Sequence, residues 1–177
     1  MAKGKIKIIN EELFEIGKYE LIKIKDADGI VMAVFKNCPF NSVMGKNNNF
    51  AESDILKKLT ETILPYIENI VGSDNVLEFE TDLFSLDGSR EYGTVKSKIS
   101  IPTFDFYRNN REIFEKYKLG CYWWLATPDS TTMYGDSCWG RCVSPRGYIY
   151  GNSCNYYDYG VRPFLHFSSS IFDSLEQ

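Results

Sequence analysis

Positive charge is scarce in this sequence: Lys and Arg number 20 against 24 Asp and Glu, for a formal net charge of −4. Binding a polyanion requires a basic face that neutralises phosphates, and this composition barely supplies one, so nucleic acid is not an expected partner. Long apolar runs are missing as well. No segment approaches the roughly 20 residues of a membrane-spanning helix, and Met1 to Asn10 carries charge without an apolar stretch of signal-peptide length. The expectation is cytoplasmic synthesis with neither signal peptide nor membrane span.

Histidine occurs once, as His166. A Ser-His-Asp or Cys-His device would have to rest on it alone, and nothing near Phe164-Leu165-His166-Phe167 marks a nucleophile elbow. It reads as a satisfied structural residue on an alternating strand. Cysteines number 5, namely Cys38, Cys121, Cys138, Cys142 and Cys154. An odd set in a chain without a secretion signal argues against a disulfide framework, so the thiols are read as mostly reduced. A four-thiolate zinc site built from Cys121, Cys138, Cys142 and Cys154 lacks the tighter paired spacing such sites use, and the aspartates form no EF-hand loop. Neither a metal nor a cofactor is expected.

What is present suits a single globular domain over 1–177. The length sustains one hydrophobic core, and 44% hydrophobic with 25% charged residues is the composition of a folded chain. Glu20 to Lys25 and Ile30 to Phe35 alternate as strands, and Asp28-Gly29 between them supports a hairpin, since Gly tolerates the positive φ of such turns. From Ser53, a candidate N-cap, Ile55, Leu56, Leu59, Ile63 and Leu64 recur at helical spacing. Pro65 is expected to break this stretch into two short helices, the second stopped by Gly72. A further helix is predicted over about 110–118, with Ile113, Phe114 and Tyr117 on one face. The fold class is α+β, with short antiparallel strands, two or three helices and a loop-rich C-terminal region. Residues 1–120 are assigned to the scaffold and 121–167 to a display region.

Composition shifts at that boundary. No Lys follows Lys118, and no Glu lies between Glu115 and Glu176. From Tyr134 to Tyr159 every residue is Tyr, Gly, Asp, Ser, Cys, Asn or Arg, except Trp139, Val143, Pro145 and Ile149. Val143 and Ile149 flank Ser144-Pro145-Arg146-Gly147, a hairpin turn between two strands; both are expected to point inward, with Tyr148 and Tyr150 on the opposite face. Adjacent Trp123 and Trp124 face opposite sides of a strand, and both read as structural. Trp139 reads as framework.

The segments Tyr122-Trp123-Trp124-Leu125-Ala126-Thr127-Pro128 and Tyr159-Gly160-Val161-Arg162-Pro163-Phe164-Leu165 resemble the C-type-lectin-like domains related to the formylglycine-generating enzyme. A weaker likeness runs through Glu15 to Glu20 and around Phe40 and Asn41, so the resemblance covers most of the chain. It implies a C-type-lectin-like fold. Within that group, the restricted alphabet of 134–159 resembles the variable region of a protein diversified by a retroelement. Unfaithful copying of adenines there turns Asn codons into Tyr, Asp, Ser, Gly, Cys or Arg codons and leaves adenine-free codons fixed.

The window also has the composition of an antibody paratope, in which Tyr offers contact area at little entropic cost and Ser, Gly and Asn add adaptable hydrogen bonds. The expected ligand-binding residues are Tyr134, Asp136, Ser137, Arg141, Tyr148, Tyr150, Asn152, Ser153, Asn155, Tyr156, Tyr157, Asp158 and Tyr159. The expected partner is a protein or glycan on a target surface, met by a non-enzymatic binder that a virion or cell could array in many copies. Two other classes stay open: a thiol-dependent enzyme of the formylglycine-generating type, which needs a cysteine with a depressed pKa, and a structural module of a phage tail or surface complex. Arg162 is expected to pair with a buried carboxylate or with carbonyls.

Overall fold

The computed structural model describes residues 5–175. In chain order the strands are β1 (Ile6–Ile8), β2 (Leu13–Ile16), β3 (Tyr19–Ala27), β4 (Ile30–Phe35), β5 (Phe40–Ser42), β6 (Val76–Leu77), β7 (Phe79–Asp82), β8 (Thr94–Ser97), β9 (Trp123–Pro128), β10 (Trp139–Val143), β11 (Ile149–Ser153), β12 (Tyr159–Val161) and β13 (Phe164–Ser168). The helices are α1 (Asp54–Lys58), α2 (Leu64–Val71), α3 (Phe104–Asn109) and α4 (Arg111–Lys116). The architecture is α+β and mostly antiparallel. One sheet runs β1-β2-β3-β4-β13-β6, a second runs β11-β10-β9-β12-β5, and β7 pairs with β8 alone.

Chain order does not separate the sheets. β13 inserts beside β4, with Phe164 opposite Val34 and Ser168 opposite Ile30, while β5 closes the second sheet against β12. Residues from before and after position 120 therefore build both. The β3–β4 hairpin turns on Asp28 and Gly29 at φ 57° and 77°, the two left-handed residues of a type I′ turn, with Ala27 opposite Ile30.

The stretch after Ser53 is one helical run and not two helices. Ser53 caps α1 by accepting from the Leu56 N–H, and α1 passes into α2 through a π-helical segment, Leu59–Ile63, in which the Leu64 N–H reaches the Leu59 carbonyl. The wider turn opens immediately before Pro65, where a proline ring would otherwise press on the carbonyl four residues back. The predicted break becomes a bulge for that reason. A short helix escaped the sequence reading: α3 starts at Thr103, whose hydroxyl accepts from the Phe106 N–H.

Two cores result. Trp124 joins Phe14, Ile16, Leu21 and Phe35 in one, covered by Ile55, Leu59, Ile63 and Ile67 of the α1–α2 run. Trp123 joins Ile22, Val34, Val143 and Phe164 in the other, covered by Tyr107 and Phe114. Neighbouring tryptophans thus supply one core each, as the period of two along a strand requires.

Close approach of the first sheet to α2 is set at Gly17, with φ 59°; a Cβ there would lie 2.3 Å from Tyr66 Oη and 2.7 Å from Ile70 Cδ1. Gly17→Ala is expected to lower stability by about 2 kcal/mol, from left-handed strain and overpacking together. A change below about 0.5 kcal/mol in a urea titration would contradict this contact.

Candidate functional site

A strip of aromatic rings crosses the second sheet. Tyr159 stands on β12 with its ring 5.0 Å from buried Trp124, and Tyr122 stacks on it at 5.0 Å and 18°. Tyr150 of β11 meets Tyr122 edge-on at 6.1 Å, while Tyr157 stacks on Tyr159 at 5.2 Å and Tyr156 meets Tyr157 at 5.2 Å. The strip rests on the core at one point and opens to solvent elsewhere. Trp124 is fully buried, Tyr157 is 38% exposed and Tyr156 is 78% exposed. Burial pushes the Tyr159 phenol up to about 12, so it stays protonated. Its oxygen accepts from Asn152 Nδ2 at 2.9 Å. At the other end Tyr122, Tyr148 and Tyr150 line a shallow cleft of about 300 Å³ with Pro145 and Arg146.

Strand pairing divides the thirteen predicted residues. Cys142 stands opposite Tyr150 and Trp124, and Gly140 opposite Asn152, so Tyr150 and Asn152 share the face of Trp124 and Tyr159. Arg141 opposite Gly151, and Ser153 opposite Trp139, point to the other face. Arg141 pairs there with Asp129, which half-buries both and withdraws the guanidinium from the strip. Gly151 makes room for it, since a Cβ would meet Arg141 Nη1 at 3.2 Å. Tyr148 and Asp158 are exposed at the turn and loop flanking the strip, and Tyr156 is its outermost ring. Asn155 is also exposed and accepts from the Ser153 hydroxyl.

Tyr134 stands apart on a 3₁₀ turn, Thr132–Tyr134, next to Met133, both about two-thirds exposed. Asp136 folds back to accept from the Cys138 N–H, and the Ser137 carbonyl accepts from the Asn48 N–H. Trp139 is 45% exposed, which overturns its reading as framework. A restricted alphabet does not set the direction of a side chain.

Two groups missed in the sequence hold this region from behind. Asn48, almost wholly buried, donates to the carbonyls of Ser130 and Trp139 and accepts from the Tyr92 hydroxyl at 2.8 Å. The Met44 N–H bonds the Cys154 carbonyl, whose own N–H bonds that of Cys138. A buried Asn with its amide satisfied by a distant loop has no local sequence signal. Tyr122, which opens the Tyr122 to Pro128 motif, is also the ring that joins Tyr150 to Tyr159.

Burial raises the thiols of Cys142 and Cys154 to about 11, and that of Cys38 to about 12. These three are protonated and poorly nucleophilic at neutral pH. Among the described residues no three His, Cys, Asp or Glu side chains stand together as a metal site, and no helix is long and apolar enough to cross a membrane.

His166 is half-buried and lies flat on Phe79 at 4.0 Å and 15°, so ring stacking fixes its place on β13. Burial lowers its pKa from 6.5 to about 4. The unfolded chain therefore binds a proton that the folded one refuses as pH falls from about 6.5 towards 4, and stability is lost across that window. Urea midpoints at pH 7 and pH 5 should show the loss in the wild type and a flatter profile in His166→Phe; parallel profiles would contradict the assignment.

No family model, curated protein or solved structure matches this chain.

Proposed function

We propose that this chain is a target-recognition protein of C-type-lectin-like fold, related to the formylglycine-generating group. Its Tyr-rich C-terminal surface binds a protein or glycan and is varied by retroelement mutagenesis. The observation that carries the reading is the aromatic strip, in which Tyr150, Tyr122, Tyr159, Tyr157 and Tyr156 run ring to ring over a sheet seated on Trp124. Rigid tyrosines lose little entropy on binding and dominate hot spots, so such a strip anchors a partner while the flanking loops adapt. Variable positions on strands and hairpin turns change chemistry without moving the scaffold. Exposed Trp139 fits the same process, because a Trp codon contains no adenine and stays fixed wherever its side chain points. A thiol enzyme acting through Cys38, Cys142 or Cys154 is disfavoured by their raised pKa values, opposite to what activation requires.

The test is a displayed library randomised together at Tyr134, Asp136, Tyr148, Tyr150, Tyr156 and Tyr157. Most clones should keep the wild-type near-ultraviolet Trp signature, and selection against an arbitrary soluble protein should enrich binders. General loss of fold, or failure to enrich against several targets, would overturn the reading.

A further inference from the structure

A second cleft, of about 260 Å³, lies away from the strip, between β7, α3 and the strands β4 and β13. Its walls are rings: Phe79 stacked on His166, Phe164 edge-on to both at 5.4 and 5.1 Å, and Phe106 at 4.5 Å from Phe164. Met32 and Ile101 complete the apolar part. Asp82 and Thr103 belong also to an adjoining polar cleft of about 390 Å³, which contains Asp105 and Arg108, so one groove runs from apolar to polar.

We propose that this groove binds a small flat aromatic amine, its ring lodged among Phe79, Phe106, Phe164 and His166 and its nitrogen turned towards the imidazole and Asp82. Size permits a two-ring system, since a cavity of about 150 Å³ already holds a benzene. The imidazole is neutral at neutral pH, so one ring nitrogen is an acceptor at the wall of the groove. Charge at the groove selects against anions. Asp105 is paired with Arg108 and Glu80 with Lys96, whereas Asp82 accepts only the Phe84 N–H and has no cationic partner among the described residues. Aromatic faces beside an unpaired carboxylate favour a cationic head over a neutral one. An apolar ring is required as well, because the deeper walls offer few polar groups.

Tryptamine is the probe, with indole-3-acetate as the same ring carrying the opposite charge. The chain has a single histidine, so nitrogen NMR reports its ring without ambiguity. Tryptamine should shift the His166 ring nitrogens saturably, indole-3-acetate should bind at least about tenfold more weakly, and His166→Phe should weaken tryptamine about tenfold while keeping the stack on Phe79. Absence of a shift in the wild type at about 5 mM tryptamine would overturn the proposal, whatever the stability of the variant. Equal binding of the two probes, or undiminished binding by folded His166→Phe, would overturn it as well.

Discussion

Replacing Arg162 with alanine is expected to cost about 4 kcal/mol of stability, close to the whole margin of many single domains. Arg162 is completely buried where β12 passes to β13, the point at which the chain leaves one sheet for the other. Its Nε donates to the Phe35 carbonyl at 2.8 Å, and Nη2 donates to the carbonyls of Lys36 and Tyr117 at 3.2 and 3.1 Å. The guanidinium lies against the stacked pair Phe114 and Trp123, at 5.2 and 5.1 Å from their centroids. Among the described residues no carboxylate pairs with it, so carbonyl dipoles and ring faces hold the charge, and burial lowers its pKa to about 10 without discharging it at neutral pH. Alanine leaves three inward carbonyls without their donor and a void beside two stacked aromatic rings. Arg162→Met keeps most of the volume and should cost about half as much. Urea titration at pH 7 measures both; a loss below about 1 kcal/mol for alanine would mean that these carbonyls find other donors.

Trp124→Ala should be about as damaging, at roughly 4 kcal/mol, the upper range for removing a large buried ring. The side chain is fully buried, donates from Nε1 to the Ser42 carbonyl at 2.8 Å, and packs against Gly140, where a Cβ would come within 3.1 Å of it. It ties β5 to β9 and supports Tyr159. Trp124→Phe loses the hydrogen bond and part of the ring, for about 1.5 to 2 kcal/mol, yet leaves the fold in place. A binder selected on the wild-type scaffold should then lose about tenfold in affinity when Trp124→Phe is introduced, because Tyr159 and Tyr122 lose their seat. Unchanged affinity would mean that the strip is not supported from below.

Much of this was legible because it is local. Asp28-Gly29 announced its turn, Val143 and Ile149 marked the inward positions of a hairpin, and adjacent tryptophans implied two layers. The split of the candidate site was also available in principle, since Arg141 and Cys142 must face opposite sides of β10, but a composition argument treats a window as one surface. Other features depend on distant partners. Pro65 stays inside a helical run because a π turn precedes it, and Asn48 matters only because Ser130, Trp139 and Tyr92 arrive beside it. Arg162 was expected to meet a carboxylate or carbonyls, and only the fold selects carbonyls.

The most direct test of a diversified binding surface needs neither a ligand nor purified protein: determine the DNA flanking this gene and search it for a near-copy of codons 134 to 163. A repeat beside a reverse-transcriptase gene, differing from the coding copy almost only where the repeat carries adenine, is the expected result. It would make the tyrosine strip one of many surfaces carried by this scaffold. No repeat, or one differing evenly at all four bases, would contradict diversification and leave the strip a fixed surface with a single partner.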